Sequence, residues 1–251
     1  MSTEPPIKKQ KTEEKVTIEE DNKGAPENST LFIVYGGKKY KFNPDRIVYA
    51  AKPKKTSYSR KVDCAYSLEM AGGVTRQVPI ILQTPKCLTR FGYSSYQHDS
   101  SSKKRFSVDI SFPDDDSAFL ATMRAWDAKN LEAITKHRKL WFPKRNLSDN
   151  PETMSLMLGN LVKANVRDDG TTFDPQIRLK VQTQEQDGAT IAKCSVFGPN
   201  ASVSNPDILT AEDIGKGATI RARMVFESIY LTESKANPVL RGEQVHLIES
   251  Q

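Results

Sequence analysis

Alternation of apolar and polar residues constrains this chain more than any other feature of its sequence. In the segment 104–112, every second residue from Phe106 to Phe112 is apolar, and the residues between them are polar. The segment 218–231 repeats this alternation and places Tyr230 on its apolar face. A period of two residues is typical of a β-strand with one face in the core and one face in solvent. Both segments therefore predict half-buried strands.

Short segments with strand character, separated by turn residues, occur along most of the chain. The further candidates are 31–35, 38–42, 46–51, 58–70, 78–83, 161–167, 176–182, 190–197 and 239–249. Gly-Gly at 36–37 and Asp-Gly at 187–188 predict hairpin turns, and Asn-Pro at 237–238 predicts a turn before the last strand. Many short strands of unequal length favour an OB-like Greek-key barrel with insertions. One closed barrel and two packed sheets both fit this pattern.

One segment has helical spacing instead. Phe119 and Trp126 belong to a series of apolar residues at helical intervals between residues 117 and 140. Three aspartates at 114–116 predict the N-terminus of this helix, because carboxylates accept the free backbone N–H groups there. The alternative is that these aspartates bind a divalent ion, but adjacent carboxylates point in different directions. We therefore predict a mainly β protein with one long helix near 114–140.

Charge is distributed unevenly along the chain. The net charge is +6, but residues 31–112 alone carry +10, from fifteen Lys or Arg and five acidic residues. Residues 1–30 contain few apolar residues, which predicts a disordered N-terminal arm ahead of a single domain at 31–251. Within this arm, the segment 5–11 resembles a short basic nuclear-import signal, and an ordinary solvated tail explains it equally well.

Several classes of protein are excluded. No apolar segment approaches the roughly 20 residues that cross a bilayer, and the N-terminus lacks the apolar stretch of a secretory signal, so we expect an intracellular protein. Cys64, Cys87 and Cys194 are too widely spaced for a zinc site or a disulfide framework, and we expect all three to be buried. Nucleotide-binding, metalloprotease and hydrolase motifs are absent, which predicts a protein that is not an enzyme and needs no metal or cofactor.

The segment 83–105 interleaves aromatic rings with cations. Unpaired bases stack on aromatic rings while Lys and Arg neutralise phosphates, so this composition is typical of a single-strand binder. The predicted nucleic-acid-binding residues here are Lys86, Arg90, Phe91, Tyr93, Tyr96, Lys103, Lys104 and Arg105. Packing of the three rings in the core is the alternative.

A second basic segment spans residues 52–61, where Pro and Ser indicate an exposed loop. Its candidate binding residues are Lys52, Lys54, Lys55, Arg60 and Lys61. Solvated lysines without a ligand explain this segment equally well. Arg221 and Arg223 share the outward face of a later strand and complete the predicted site, although ion pairs with Glu227 or Glu243 would explain them as well.

The order of these features resembles a known family. QTPK and FGYSSY at 83–96, KRFSVDISF at 104–112, the helix with Trp126, and IRARMVFESIYL and NPVLRGEQVHLIE at 220–249 follow one another along the chain. This layout resembles the OB-fold single-stranded-DNA-binding proteins of large nucleocytoplasmic DNA viruses, and is similar to the replicative single-strand-binding proteins of some phages. The resemblance implies a non-enzymatic protein that coats exposed strands during viral DNA replication, repair or recombination.

We therefore expect sequence-tolerant binding of single-stranded DNA through a basic groove with aromatic stacking. RNA is an alternative ligand, replication proteins are expected partners, and the sequence leaves homo-oligomerisation open. The expected location is the host nucleus, a cytoplasmic site of viral replication, or the virion. The alternative function is a structural or scaffolding virion protein that binds the genome or an acidic partner by charge alone.

Overall fold

A computed structural model of the protein describes residues 31–57, 59–70, 72–97, 104–113, 117–164, 169–186, 189–202 and 204–249. The predicted N-terminal arm with its import signal, the aspartates at 114–116 and Lys103 lie outside the described residues. Those expectations stay predictions, as does the single domain at 31–251.

Strands dominate the described chain, and the predicted mainly β class is confirmed. The strands before the long helix are β1 (Phe32–Tyr35), β2 (Lys38–Lys41), β3 (Ile47–Tyr49), β4 (Lys54–Lys55), β5 (Arg60–Val62), β6 (Cys64–Glu69), β7 (Thr75–Val78), β8 (Ile81–Gln83), β9 (Cys87–Thr89), β10 (Tyr93–Gln97) and β11 (Lys104–Ser111). Two helices follow, α1 (Ala118–Trp141) and α2 (Pro151–Met157). The later strands are β12 (Val162–Lys163), β13 (Gln176–Gln186), β14 (Ala189–Lys193), β15 (Ser195–Phe197), β16 (Ile208–Leu209), β17 (Ala218–Leu231) and β18 (Ala236–Glu249).

Five of these strands close into a barrel. β11 pairs with β9 and β13, β17 pairs with β9 and β18, and β13 pairs with β18, so the ring is complete. The β13–β18 pair is parallel, and the other four pairs are antiparallel. The predicted OB-like barrel with insertions is confirmed, and one closed barrel describes it better than two packed sheets. β3, β6 and β7 form a separate three-stranded sheet.

The alternation predicted for β17 is observed over the first part of the strand. Ile220, Ala222 and Met224 are fully buried, whereas Arg221 and Arg223 between them are partly exposed. Because successive side chains of a strand point to opposite faces, the two arginines lie on the outer face of the barrel.

The prediction for Tyr230 is wrong. The alternation places it with the inward residues, but the pairing of β17 with β18 changes register between Phe226 and Ser228. Such a β-bulge inserts one extra residue and reverses the faces of the residues that follow. Ile229 is therefore buried and Tyr230 is partly exposed. The Tyr230 hydroxyl donates a hydrogen bond of 2.9 Å to the carboxylate of Glu227.

The long helix, predicted near 114–140, spans Ala118–Trp141. Its N-cap is Ser117, the residue after the three aspartates, and the Ser117 hydroxyl accepts a hydrogen bond of 3.1 Å from the N–H of Leu120. Trp126 is fully buried, and its ring centroid lies 4.9 Å from that of Phe42 and 4.7 Å from that of Phe226. These contacts pack α1 against the end of the first hairpin and against β17.

The turn predicted at Asn237 and Pro238 is also wrong. Both residues lie inside β18, where Asn237 pairs with Tyr230 of β17. The chain turns earlier, where the N–H of Thr232 donates to the carbonyl oxygen of Lys235 at 2.9 Å. The ladder between two strands of 14 residues each outweighs the local preference of Asn-Pro for a turn.

Candidate nucleic-acid interface

A groove of about 890 Å³ is lined by residues of β10, β11, β13, β14, β17 and β18. Its cationic side chains are Lys104, Arg105, Arg178, Lys180, Lys193 and Arg241. Tyr96 adds an aromatic ring, and among the described lining residues Glu227 supplies the single carboxylate. We call this set the basic groove.

Strand pairing places the groove side chains in neighbouring rows. Tyr96 lies opposite Arg105 in the β10–β11 pair. Lys180 lies opposite Ser107 of β11 on one side and opposite Arg241 of β18 on the other. Since neighbouring strands are about 4.8 Å apart, Lys180 and Arg241 are direct neighbours across the β13–β18 pair, and Arg105 lies in the adjacent row, two residues before Ser107.

Four of the six groove cations make no ion pair with any residue that the structure describes. These four are Lys104, Arg105, Lys180 and Lys193. The other two form ion pairs, Arg178 with Asp109 at 2.7 Å and Arg241 with Glu243 at 3.0 Å. A cleft with a clear excess of one charge concentrates its electric field and attracts ions of the opposite sign. The basic groove is therefore suited to an extended anion.

Lys180 lies among several of these cations. The pKa of its ammonium group is lowered from the usual value, first because the groove walls withhold water and then because the positive charge of Arg105 repels it. A phosphate beside Lys180 would offset this repulsion and stabilise the charged ammonium.

One wall of the groove is held by a bidentate ion pair. The Nε and Nη2 atoms of Arg178 donate to the two carboxylate oxygens of Asp109, each at 2.7 Å. Asp109 is only 5% exposed. This hydrogen bonding, more than any other interaction, raises the pKa of the Arg178 guanidinium group. The two parallel hydrogen bonds fix the orientation of both side chains and link β11 to β13.

We expect Arg178→Gln to lower the free energy of unfolding by about 2 kcal/mol, because the nearly buried Asp109 carboxylate would lose its cation. The loss stays below that of a fully buried pair since the Arg178 side chain is half exposed. Urea unfolding measures the change. The double variant Asp109→Asn with Arg178→Gln is the control and should recover much of the stability. Additive losses in the double variant would contradict this assignment.

The three predicted rings do not converge. Tyr96 is 61% exposed and lines the basic groove. Phe91 is 40% exposed but lies edge-on to Phe173, with 6.4 Å between ring centroids, and does not line the groove. Tyr93 stacks on Phe106 at 5.4 Å, so one face of its ring is already covered. Its hydroxyl is buried without a hydrogen-bond partner among the described residues. Tyr96 alone of the three has the position that base stacking requires.

The predicted basic loop forms the β4–β5 hairpin and does not line the basic groove. The residues concerned are Lys52, Lys54, Lys55, Arg60 and Lys61. The ammonium groups of Lys54 and Lys61 lie 2.5 and 3.6 Å from the carboxylate of Asp63. The hydrogen bond from Lys54 is the main cause that lowers the pKa of Asp63. Lys61 lies opposite Tyr230 in the β5–β17 pair, so the hairpin extends the sheet beside β17.

The remaining predicted cations are distributed over other parts of the molecule. Arg90 forms an ion pair of 2.9 Å with Asp174. Lys86 is exposed and Arg221 partly exposed, and neither lines the groove. Arg223 forms an ion pair of 3.6 Å with Glu243, which is the alternative considered for it from sequence. Of the predicted binding residues, the structure thus brings Tyr96, Lys104 and Arg105 together in the basic groove.

Four groove cations were not predicted from the sequence: Arg178, Lys180, Lys193 and Arg241. The first two carried a signal, because they alternate with the apolar residues of the strand predicted at 176–182. A search for cations on outward strand faces would have found them. Lys193 and Arg241 carried no comparable signal, since only the pairing of β14 and β18 with β13 brings them to the groove.

The three cysteines are free. Cys87 is buried as predicted, whereas Cys64 and Cys194 are half-buried. Burial raises the pKa of each thiol to about 12. No group of three or more His, Cys, Asp or Glu residues in the described chain is placed to hold a metal ion, and none of its helices is long and apolar enough to span a bilayer.

No protein-family model matches this sequence, and no curated protein matches it significantly. Solved structures of a single-stranded DNA-binding protein from bacteriophage Enc34 are similar to parts of it. The complex with single-stranded DNA is 11% identical, with a TM-score of 0.36 over 80% of this chain and 96% of its own. A C-terminal truncation is 13% identical, with a TM-score of 0.35 over 82% and 97%. Likeness at this level assigns no function to the present chain.

Proposed function

We propose that the basic groove binds single-stranded DNA with little preference for base sequence. The observation that carries this proposal is the convergence of six cations and the exposed ring of Tyr96 in one groove with a single carboxylate among its described residues. The cations match a chain of phosphates, and the ring matches an unpaired base.

The two kinds of contact have different physical roles. Each cation that neutralises a phosphate releases counterions, which gives affinity without reading the sequence. Stacking of a base on Tyr96 adds affinity that is also tolerant of sequence, because every base has a flat π face. In an OB-fold, the face formed by the second and third barrel strands commonly binds oligonucleotides. In chain order, β11 and β13 are the second and third of the five barrel strands, and they carry four of the six groove cations.

The alternative is a structural or scaffolding protein that binds a genome or an acidic partner by charge alone. Charge alone does not need an exposed base, so such a protein binds duplex and single strands equally well. The exposed ring inside the groove favours the single strand, because bases in a duplex are already stacked on one another.

We expect a labelled oligothymidylate to bind tightly at low salt and to lose affinity steeply as salt rises. Six phosphate contacts correspond to a slope of about −4 for log K against log salt concentration. Fluorescence anisotropy between about 50 and 200 mM salt measures this slope. An unlabelled duplex of equal length is expected to compete weakly. Equal competition by the duplex would favour the charge-only alternative, and no binding at low salt would exclude the proposal.

The biological setting belongs to the same proposal and rests on the sequence resemblance. We place the binding activity in the replication, repair or recombination of a viral genome, in the host nucleus or at a cytoplasmic replication site. Replication proteins are the proposed partners, and RNA is the competing ligand. The proposed protein is not an enzyme, and incubation of labelled DNA with magnesium or manganese ions is expected to leave the DNA intact.

A further inference from the structure

A second trough, of about 540 Å³, adjoins the basic groove. Its polar lining residues include Gln182, Lys193, Arg223, Arg241, Glu243 and Gln244. Three of these, Gln182, Lys193 and Arg241, also line the basic groove. The two cavities therefore meet at these three side chains, and a strand that extends along the groove past Arg241 would reach the second trough.

The second trough has three cations around one carboxylate. Glu243 lies 3.0 Å from Nη2 of Arg241 and 3.6 Å from Nε of Arg223. The Arg223 contact is long and is not a hydrogen bond, and a single carboxylate shared by two arginines leaves a net positive charge. A phosphate is thus able to compete with Glu243 for the two arginines.

The arginines also have unused hydrogen-bonding capacity. Within the described part of the chain, the Nε atoms of Arg223 and Arg241 are buried and have no hydrogen-bond partner. Each guanidinium group has five N–H donors. The single carboxylate of Glu243 therefore cannot satisfy all the donors of both arginines. A phosphate accepts such donors in pairs, in the same fork geometry as a carboxylate.

We infer that Arg223, Arg241 and Lys193 form a second phosphate-binding subsite for the same DNA strand, and that Glu243 is the internal counter-ion that the phosphate displaces. This inference rests on the function proposed for the basic groove. It assigns the second trough to the part of a long strand that extends beyond the groove.

Strand length is the variable that tests this subsite. Oligothymidylates of about 4 and about 16 nucleotides span the range of site sizes known for one OB-fold. Arg223→Gln is expected to weaken binding of the long strand about fivefold at 0.1 M salt and to lower its salt slope by about 0.7, since one phosphate contact is lost. Binding of the short strand is expected to stay unchanged. Glu243→Gln is expected to strengthen binding of the long strand about fivefold, because the competing charge is removed.

Arg221→Gln is the matched control, because Arg221 lies on the same outer face of β17, two residues away, but lines neither cavity. It should leave both affinities unchanged. Equal losses with Arg221→Gln and Arg223→Gln, equal losses at both strand lengths, or no gain with Glu243→Gln would each overturn the subsite. Thermal unfolding of each variant confirms that it is folded. If the unmodified protein binds neither strand, the proposed function fails; if it binds both and Arg223→Gln has no effect, only the subsite fails.

Discussion

Replacing Lys180 with glutamate is expected to weaken binding of single-stranded DNA by about 25-fold or more at 0.1 M salt. Lys180 lies between Ser107 of β11 and Arg241 of β18 in the barrel, and it has no ion pair among the described residues. The substitution changes the local charge by two units, and each unit corresponds to about a fivefold change in affinity at this salt concentration. Fluorescence anisotropy with a labelled oligothymidylate measures the loss.

Lys144→Glu makes the same change of charge at an exposed position after α1, away from the groove lining. It is expected to change affinity by only a small factor, through the net charge of the protein. If Lys180→Glu and Lys144→Glu weakened binding equally, the affinity would come from overall charge, and the groove would not be the binding site. Lys180 is outward-facing, so neither variant should lower the unfolding temperature substantially.

Replacing Tyr96 with alanine is expected to weaken binding by about 1 to 3 kcal/mol, which corresponds to roughly 5- to 150-fold. The reason is the loss of a stacking surface, since Tyr96 is 61% exposed within the groove. A ring carries no charge, so the slope of affinity against salt should stay the same. Titrations at several salt concentrations separate this effect from that of Lys180→Glu.

Two variants control for the ring itself. Tyr96→Phe keeps the stacking surface and should retain most of the affinity. Phe91→Ala removes a ring that lies against Phe173 outside the groove, and should leave binding unchanged. Full affinity in Tyr96→Ala, or an equal loss in Phe91→Ala, would contradict stacking at Tyr96 and favour binding by charge alone.

Much of the fold could be predicted from the sequence because its causes are local. The alternation in β11 and β17 depends only on which side chains avoid water, and the spacing around Trp126 depends on the same preference in a helix. The errors arose where pairing overrides local preference. A bulge in the β17–β18 ladder turned Tyr230 outward, and the same ladder kept Asn237 inside a strand.

The candidate site was less predictable. Segment charge indicated Lys104 and Arg105, which line the groove, but it also indicated the β4–β5 hairpin, which does not. Counting charge along the chain treats neighbours in sequence as neighbours in space. In a barrel, the neighbours of a side chain come instead from the two adjacent strands, which can be distant in sequence.

Apart from the residues after the bulge in β17, the sequence by itself determined which residues of β11 and β17 face the core and which face outward, because burial of apolar surface acts on each segment separately. Only the tertiary structure decided which outward residues share a groove. Lys180 and Arg241 meet because β13 and β18 pair in parallel as the ring of strands closes. That register depends on the packing of the whole barrel, and no local pattern in either strand contains it.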